Sequence, residues 1–328
     1  MILITDTTGF IGRAVVRRLA NAQMPVRCLL RPSRYAQQLP PGTPFSTICA
    51  SMSDLPALRT AMQDVTAILH LMGEDDPNQT AMYSHAQDTA NLIEAARETG
   101  VKRLIYLSRL EANRTSAYYL FRARGEAEAA LRESDLDYTI LQATITYGPG
   151  DVFTNVLVML AKAIPYVLPL PEAELARFQP LWVEDLVTCI IKTLERDGLI
   201  GKTIPLGGPE HFTLEQLVTQ VLEAARVSRR LVRMPNFLTQ LIVDLFEMLL
   251  PRTPTPRRWL DVLAVGSATD LETMQIHFGI EPSRFSDCLT TYLAPRRPWR
   301  RDLLRFVLAH HHVDPSLEAS CQPPAQDS

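Results

Sequence analysis

Gly9 and Gly12 follow a short apolar run, Met1-Ile2-Leu3-Ile4, and open a stretch whose apolar residues recur at helical spacing. Residues 1–13 therefore read as a strand, a tight turn and the first turn of a helix. Glycines in such a turn let backbone N–H groups at a helix N-terminus approach an anion, a phosphate above all. Asp6, three residues before Gly9, opposes that chemistry by adding bulk and negative charge where the anion would dock. The same side chain has an alternative, which is to cap the helix through a backbone N–H and turn away from the phosphates. Further chemistry-bearing residues are Ser108 with Arg109 beside it, and the run from Ser116 to Glu128, which contains Tyr118, Tyr119 and Arg124. The triplet His310-His311-His312 has no cysteine or carboxylate at ligand spacing, so it reads as a solvated run and no metal site is expected.

The elements that must position these residues follow from a change of rhythm along the chain. Short β-branched runs at about residues 1–5, 26–30, 45–49, 67–71, 103–107 and 138–142 alternate with helical stretches. That alternation predicts an α/β fold with a doubly wound parallel sheet. Gly9 to Asn21 forms the first helix, with Ile11, Val15, Val16 and Leu19 on its apolar face and Arg13, Arg17 and Arg18 turned largely outward. Asp54 caps a second helix, and residues 89–96 form the centre of a third. After Tyr147-Gly148-Pro149-Gly150-Asp151 proline becomes commoner and strand signals shorten. The expected organisation is a nucleotide-binding domain at 1–150, a smaller lobe at 151–295 woven onto it, and a basic amphipathic segment with a frayed tail at 296–328.

Composition narrows the partners. With 328 residues and 46% apolar content the chain supplies a substantial core, and a net charge of -3 argues against nucleic acid. Five scattered cysteines without CxxC pairing, and an N-terminus that begins directly with a strand, predict a cytoplasmic protein with reduced thiols.

The strand-loop-helix opening, Leu71-Met72-Gly73, Leu104-Ile105-Tyr106-Leu107-Ser108, Tyr147-Gly148-Pro149-Gly150-Asp151, Arg177 to Asp185 and Leu206-Gly207-Gly208-Pro209-Glu210 occur in an order that resembles a short-chain dehydrogenase/reductase. The resemblance covers about residues 1–295. It is strongest to the extended and atypical branch, which includes NAD-dependent epimerase/dehydratases, NmrA-like proteins and the Rossmann-type accessory subunit of respiratory complex I. It implies a dinucleotide site built from Thr5, Thr8, Gly9, Phe10, Ile11, Gly12, Arg31, Met72 and Gly73, with Asp6 in place of the first loop glycine. Arg31 stands where NAD-binding relatives carry an acidic residue. Helped by Arg27 or Arg34, it fits a 2′-phosphate, so NADP is expected over NAD, although Arg31 also reads as a solvated strand-end charge. Ser51 replaces the aspartate that contacts adenine in relatives.

For catalysis the resemblance implies Ser108, Tyr119 and Arg124. The family pairs a tyrosine with a lysine four residues later, which lowers the phenol pKa for proton transfer. Aligning Arg124 with that lysine puts Leu120 in the tyrosine slot. Tyr118 and Tyr119 fall one or two residues out of register, and each residue rotates a helical side chain by about 100°. Gln142 replaces an arginine near the substrate cleft, so Asp6, Ser51, Leu120 and Gln142 are expected together on the cleft side. Two readings follow. In one, the chain is a nucleotide-sensing or accessory protein with degenerate catalytic residues that docks to a partner. In the other, it is an active NADP-dependent oxidoreductase or epimerase/dehydratase acting on a nucleotide-sugar or another carbonyl substrate.

Two later segments suggest contacts. Residues 237–250 would form a mostly apolar helix, buried in the second lobe or else meeting a partner or a membrane. Residues 296–308 set five arginines over Trp299, Leu303, Phe306 and Val307, which suits a peripheral contact with the inner face of an anionic membrane, an acidic protein surface, or a plain surface helix.

Overall fold

Side chains alternate strictly across the strands of the central sheet, and this alternation builds two cores back to back. Ile2, Ile4, Leu69, Leu71, Ile105, Leu107, Leu141 and Ala143 face one way, and Leu3, Ile68, Leu104, Tyr106 and Ile140 the other. A computed structural model describes residues 1–31, 45–71, 85–164, 166–172, 176–235, 237–241, 244 and 257–293. Its strands are β1 (Ile2–Ile4), β2 (Val26–Leu30), β3 (Ser46–Cys49), β4 (Ala67–Leu71), β5 (Arg103–Arg109), β6 (Asp137–Ala143), β7 (Thr146–Tyr147), β8 (Val167–Pro171), β9 (Leu181–Trp182), β10 (Thr203–Leu206) and β11 (Arg230–Met234). The helices are α1 (Phe10–Asn21), α2 (Leu55–Ala61), α3 (His85–Thr99), α4 (Tyr119–Arg132), α5 (Val152–Ala163), α6 (Val183–Leu194), α7 (Leu214–Ala224), α8 (Arg257–Val265), α9 (Thr273–Phe278) and α10 (Phe285–Tyr292).

Seven strands form the main sheet in the order β10-β6-β5-β4-β1-β2-β3, every pair parallel. The expected six strands all lie in it. The order reverses between β1 and β4, and the crevice beyond their carboxyl ends is where such sheets bind ligands. The first core takes in α1 and α6, together with Met274 and Phe278 of α9. Residues of α2, α3 and α4 fill the second. Asp54 caps α2 as its position predicts, accepting from the Ala57 N–H at 3.0 Å.

Beyond residue 150 the chain serves both lobes, since α6 and β10 belong to the main sheet layers. A further core joins α5, α7 and α10 to β8 and includes Leu120, Phe121 and Tyr147 from the first half of the chain. The expectation of burial for the helix at 237–250 needs correction where residues are described. Phe237 is 68% and Leu241 63% exposed, because the helical residues 237–241 leave β11 along the outside of the second lobe. The segment 296–308, the histidine triplet and the tail lie outside the described residues.

His70 in β4 is the polar exception within the sheet. It is fully buried, stacks on Tyr106 at 5.4 Å, and contacts Thr5 Oγ1 through Nδ1 at 2.9 Å and Thr89 Oγ1 through Nε2 at 3.1 Å. Burial first, then the charges of Arg31 and Arg124, lower its pKa from 6.5 to about 3. The unfolded chain therefore takes up a proton below pH 6.5 that the folded chain refuses, so this contribution to stability is complete above 6.5 and lost on acidification. Urea unfolding of wild type and of His70→Gln, followed from about pH 8 to about pH 4, should show the difference in stability between them shrinking by up to about 1.4 kcal/mol per pH unit below the histidine's unfolded pKa. Parallel pH profiles would overturn this assignment.

Candidate functional site

Three segments meet at the carboxyl ends of β1 and β4. The Thr5 hydroxyl accepts from the Leu71 N–H and donates to the Leu71 carbonyl, both at 3.1 Å, and its backbone N–H donates to the Leu69 carbonyl. With the hydroxyl proton so used, His70 must present Nδ1–H to Thr5 and accept from Thr89 at Nε2. Thr5 thus turns its side chain into the sheet, locking the two strands between which the order reverses.

Immediately after it, Asp6 takes a left-handed conformation, φ 52°. Glycine adopts that region freely, and aspartate is among the few other residues that tolerate it. The Asp6 carbonyl accepts from the Gly9 N–H, and α1 begins at Phe10 with Gly9 as its N-cap residue. A methyl group at Gly12 would run into the Asp6 carbonyl oxygen and Thr7, so only glycine lets α1 sit so close to the turn. A Cβ on Gly9 would stand 2.7 Å from Asp6 Oδ2. The carboxylate therefore fills the space that the missing side chain opens, at the positive end of the helix. Arg13 folds back to the Thr8 carbonyl, while Arg17 and Arg18 bind Glu184 of α6 at 3.3 and 3.0 Å. Ile11 packs against the first core.

The ribose end is partly described. Arg31 follows β2 and pairs with the buried Asp88 in the first turn of α3, N to O 3.5 Å, so it is no solvated strand-end charge. Arg27 cannot assist it. Its guanidinium donates to the Ala61 carbonyl at 3.0 Å and the Gln63 carbonyl at 2.6 Å, closing the end of α2. Ser51 bonds Ser53 at 2.8 Å. Arg34, Met72 and Gly73 lie outside the described residues.

Of the catalytic candidates, Arg124 reaches the end of β5 where Ser108 stands. Both are buried, and Arg124 donates to the carbonyl of Leu107 at 3.4 Å. Tyr119 begins α4, half-buried, with the Arg122 guanidinium 5.4 Å from its ring centre. Five helical positions from Arg124, it lies about 140° around the helix. Leu120, one turn before Arg124, is buried in the core of the second lobe. Two of the residues expected on the cleft side are thus committed elsewhere, Leu120 to packing and Gln142 to hydrogen bonding. Gln142 donates to both oxygens of Glu128 at 2.9 and 3.0 Å, and Glu128 also receives Arg132. Its preference for that helix follows from the buried carboxylate, which needs donors.

Asp151, unremarked in the sequence beyond its motif, proves to be a junction. Its buried carboxylate accepts from the N–H groups of Gly148 and Thr154, the Thr154 hydroxyl and the Tyr292 hydroxyl. Burial outweighs these donors and pushes its pKa from 3.8 to about 6. The neighbouring Gly148 lies against Phe10 and Val183, so this loop borders the phosphate turn. Its signal was a carboxylate followed three residues later by threonine before an apolar run, an N-cap pattern.

The parallel sheet with its switch point and the glycine turn at the start of α1 define a dinucleotide-binding protein. Comparison with known proteins agrees: residues 7–154 match the NAD(P)H-binding family. Over that stretch the chain is similar to NAD(P)-binding Rossmann proteins of the atypical short-chain dehydrogenase/reductase type. It is 26% identical over 262 residues to the mitochondrial NADH dehydrogenase [ubiquinone] 1 alpha subcomplex subunit 9 of Arabidopsis thaliana, covering 77% of this chain and 65% of that protein. The NAD(P)H azoreductase of Xenophilus azovorans is 27% identical, covering 69% of this chain and 74% of its own length. Photosystem II assembly factor Ycf39 of Guillardia theta is 26% identical, with 66% and 68% covered. Among solved structures, a nucleoside-diphosphate-sugar epimerase from Staphylococcus aureus superposes with a TM-score of 0.69 at 16% identity, over 88% of this chain and 99% of that one. A dTDP-glucose 4,6-dehydratase from Streptomyces venezuelae with NAD bound also gives 0.69, at 18% identity, over 92% and 97%. These last two share the fold. Among the described residues no helix is long and apolar enough to cross a membrane, and no cluster could hold a metal ion.

The close seat of α1 makes Gly12 the most sensitive position of the turn. Gly12→Ala is expected to destabilise the protein by about 1–3 kcal/mol, the usual cost of overpacking, and to abolish any nucleotide-dependent rise in melting temperature. Wild-type behaviour in both thermal assays would show that α1 can move away from the turn.

Proposed function

We infer that the protein holds a nicotinamide dinucleotide as a structural or sensing ligand and works as an accessory subunit rather than as a proton-transfer enzyme. The observation that carries this reading is Leu120, an apolar side chain packed in the core formed by α5, α7, α10 and β8, at the helical position one turn before Arg124. A leucine neither gives nor takes a proton, and the planar guanidinium of Arg124 does not reproduce the compact ammonium of the family's lysine. The relatives named as a respiratory subunit and an assembly factor support it. In this reading Gly9 and Gly12 admit the pyrophosphate to the N-terminus of α1, while Asp6 weakens it by repulsion. Thr8, Phe10 and Ile11 border the phosphates. Thr5 acts from behind, by fixing β1 against β4. Arg31, held by Asp88, favours NADP through its 2′-phosphate, and the protein works in the cytoplasm beside a membrane-associated assembly.

A second reading is an active NADP-dependent reductase or epimerase/dehydratase acting on a carbonyl substrate. The azoreductase relative favours it, as does the seat of Arg124 on the Leu107 carbonyl, one residue before Ser108. It requires turnover that falls when Ser108 or Tyr119 is replaced.

Thermal melting with NADPH, NADP, NADH and NAD separates these possibilities. Ligand at a hundredfold excess over its Kd stabilises the folded state by about 2.7 kcal/mol. The wild type should shift most with NADPH and NADP, and Asp6→Gly should shift further by removing the carboxylate from the phosphate site. Arg31→Ala should reduce the NADPH response to that of NADH. NADPH oxidation dependent on added carbonyl or azo compounds, and lost in Tyr119→Phe, would replace the accessory reading with the enzymatic one. An equal NADPH shift in wild type and Asp6→Gly would remove the repulsion assigned to Asp6.

A further inference from the structure

We propose that an outer face of the second lobe, formed by Ile164, Tyr166, Val167, β11 and residues 237–241, docks on an anionic lipid bilayer. The proposal rests on the accessory reading and names the surface that such a subunit would meet. β8 and β11 run parallel, with Val167 opposite Arg230, Val232 opposite Pro169 and Met234 opposite Pro171. Leu168 and Leu170 turn into the core, so the alternate residues Val167, Pro169, Arg230 and Val232 form the outer side of this two-stranded sheet. Val167 and Val232 are both exposed. The Arg229 side chain donates to the Ile164 carbonyl, and the Arg230 N–H to the Tyr166 carbonyl, both at 2.9 Å. These bonds set the turn carrying Tyr166, which is 84% exposed, beside the arginines.

At the other end of β11, the Leu238 and Thr239 N–H groups donate to the Pro235 carbonyl and start the helical residues directly. Phe237 and Leu241, four apart, stand on one side of that turn and face water. Tyr166 and Phe237, at the two ends of β11, and the aliphatic Val167, Val232, Leu238 and Leu241 are thus exposed on these segments, and exposed apolar side chains gathered on one surface mark interaction sites.

Charge identifies the occupant. Arg226, Arg229 and Arg230 lie in or just before β11 with no carboxylate among residues 226–241, and the first acidic residue after them is Asp244, in a chain whose net charge is -3. Arg233, opposite Leu170, turns to the other side of the sheet. Glu215 of α7 pairs with Arg233 at 3.1 Å. An anionic surface repels the molecule as a whole and attracts this face, which orients it. Arginines interleaved with Tyr and Phe suit a bilayer, where guanidinium groups reach lipid phosphates while the rings and aliphatic chains enter the headgroup boundary. A protein partner would instead need carboxylates fixed opposite each arginine.

Flotation of the full-length protein with phosphatidylcholine vesicles, with or without phosphatidylserine, tests the proposal. Retention is expected with phosphatidylserine only, and is reduced at high salt. Arg229→Glu with Arg230→Glu, and separately Phe237→Glu with Leu241→Glu, should each lower the retained fraction by about tenfold or more, with unchanged melting temperatures. Arg300→Glu with Arg301→Glu should leave most of it. Retention unaffected by the first two pairs, or abolished by the third alone, would overturn the assignment to this face. Equal retention on phosphatidylcholine alone would overturn the electrostatic basis. An NADPH-induced thermal shift in the same preparations keeps the two conclusions apart, since a normal shift without flotation removes bilayer docking and leaves the nucleotide-binding accessory reading intact.

Discussion

The hydroxyl of Thr5 holds together the two strands on which the whole site depends. At the reversal of strand order β1 and β4 lie side by side, and everything the phosphate turn can do depends on where β1 stops. Thr5 fixes that point by exchanging hydrogen bonds with both backbone groups of Leu71, and His70 extends the link to Thr89 in α3. A buried imidazole with a partner on each nitrogen specifies one arrangement of three elements, and that arrangement excludes the protonated form. The turn beyond it can then be irregular without becoming loose.

That turn shows two demands meeting in one residue. The left-handed backbone at Asp6 satisfies the geometry a glycine would satisfy, and its carbonyl lies where Gly12 allows α1 to approach. Its side chain, however, brings a charge to the spot where phosphate chemistry wants none. The turn therefore keeps the shape that glycine would give it while carrying a carboxylate, and that shape is enough to seat α1 against the sheet.

The fold was legible because its signals are local and periodic. All six expected strands of the main sheet and the cap at Asp54 follow from alternation and composition within a few residues of each. What escaped depends on partners distant in sequence. Nothing near Arg31 announces Asp88, nothing near Gln142 announces Glu128, and Arg27 reads as a helper of Arg31 until α2 ends against it. His70 sits in the apolar run Ala67-Ile68-Leu69-His70-Leu71, where it looks like an interruption and becomes a junction only when β1 and α3 converge on it. The exposure of Phe237 and Leu241 could not be read either, because an apolar helix looks the same in sequence whether its surroundings are protein or water.

Asp151 has a consequence for how the molecule comes apart. Its carboxylate is shared among the loop beside the phosphate turn, the start of α5 and the hydroxyl at the end of α10. Separating the last helix would withdraw one of its donors and open its burial to solvent, with the cost attached to any buried polar group left short of partners. The C-terminal lobe is therefore no detachable appendage to a nucleotide-binding core. One shared carboxylate ties the loop at Gly148 and the start of α5 to α10, so loosening of that last helix reaches the loop beside the phosphate turn.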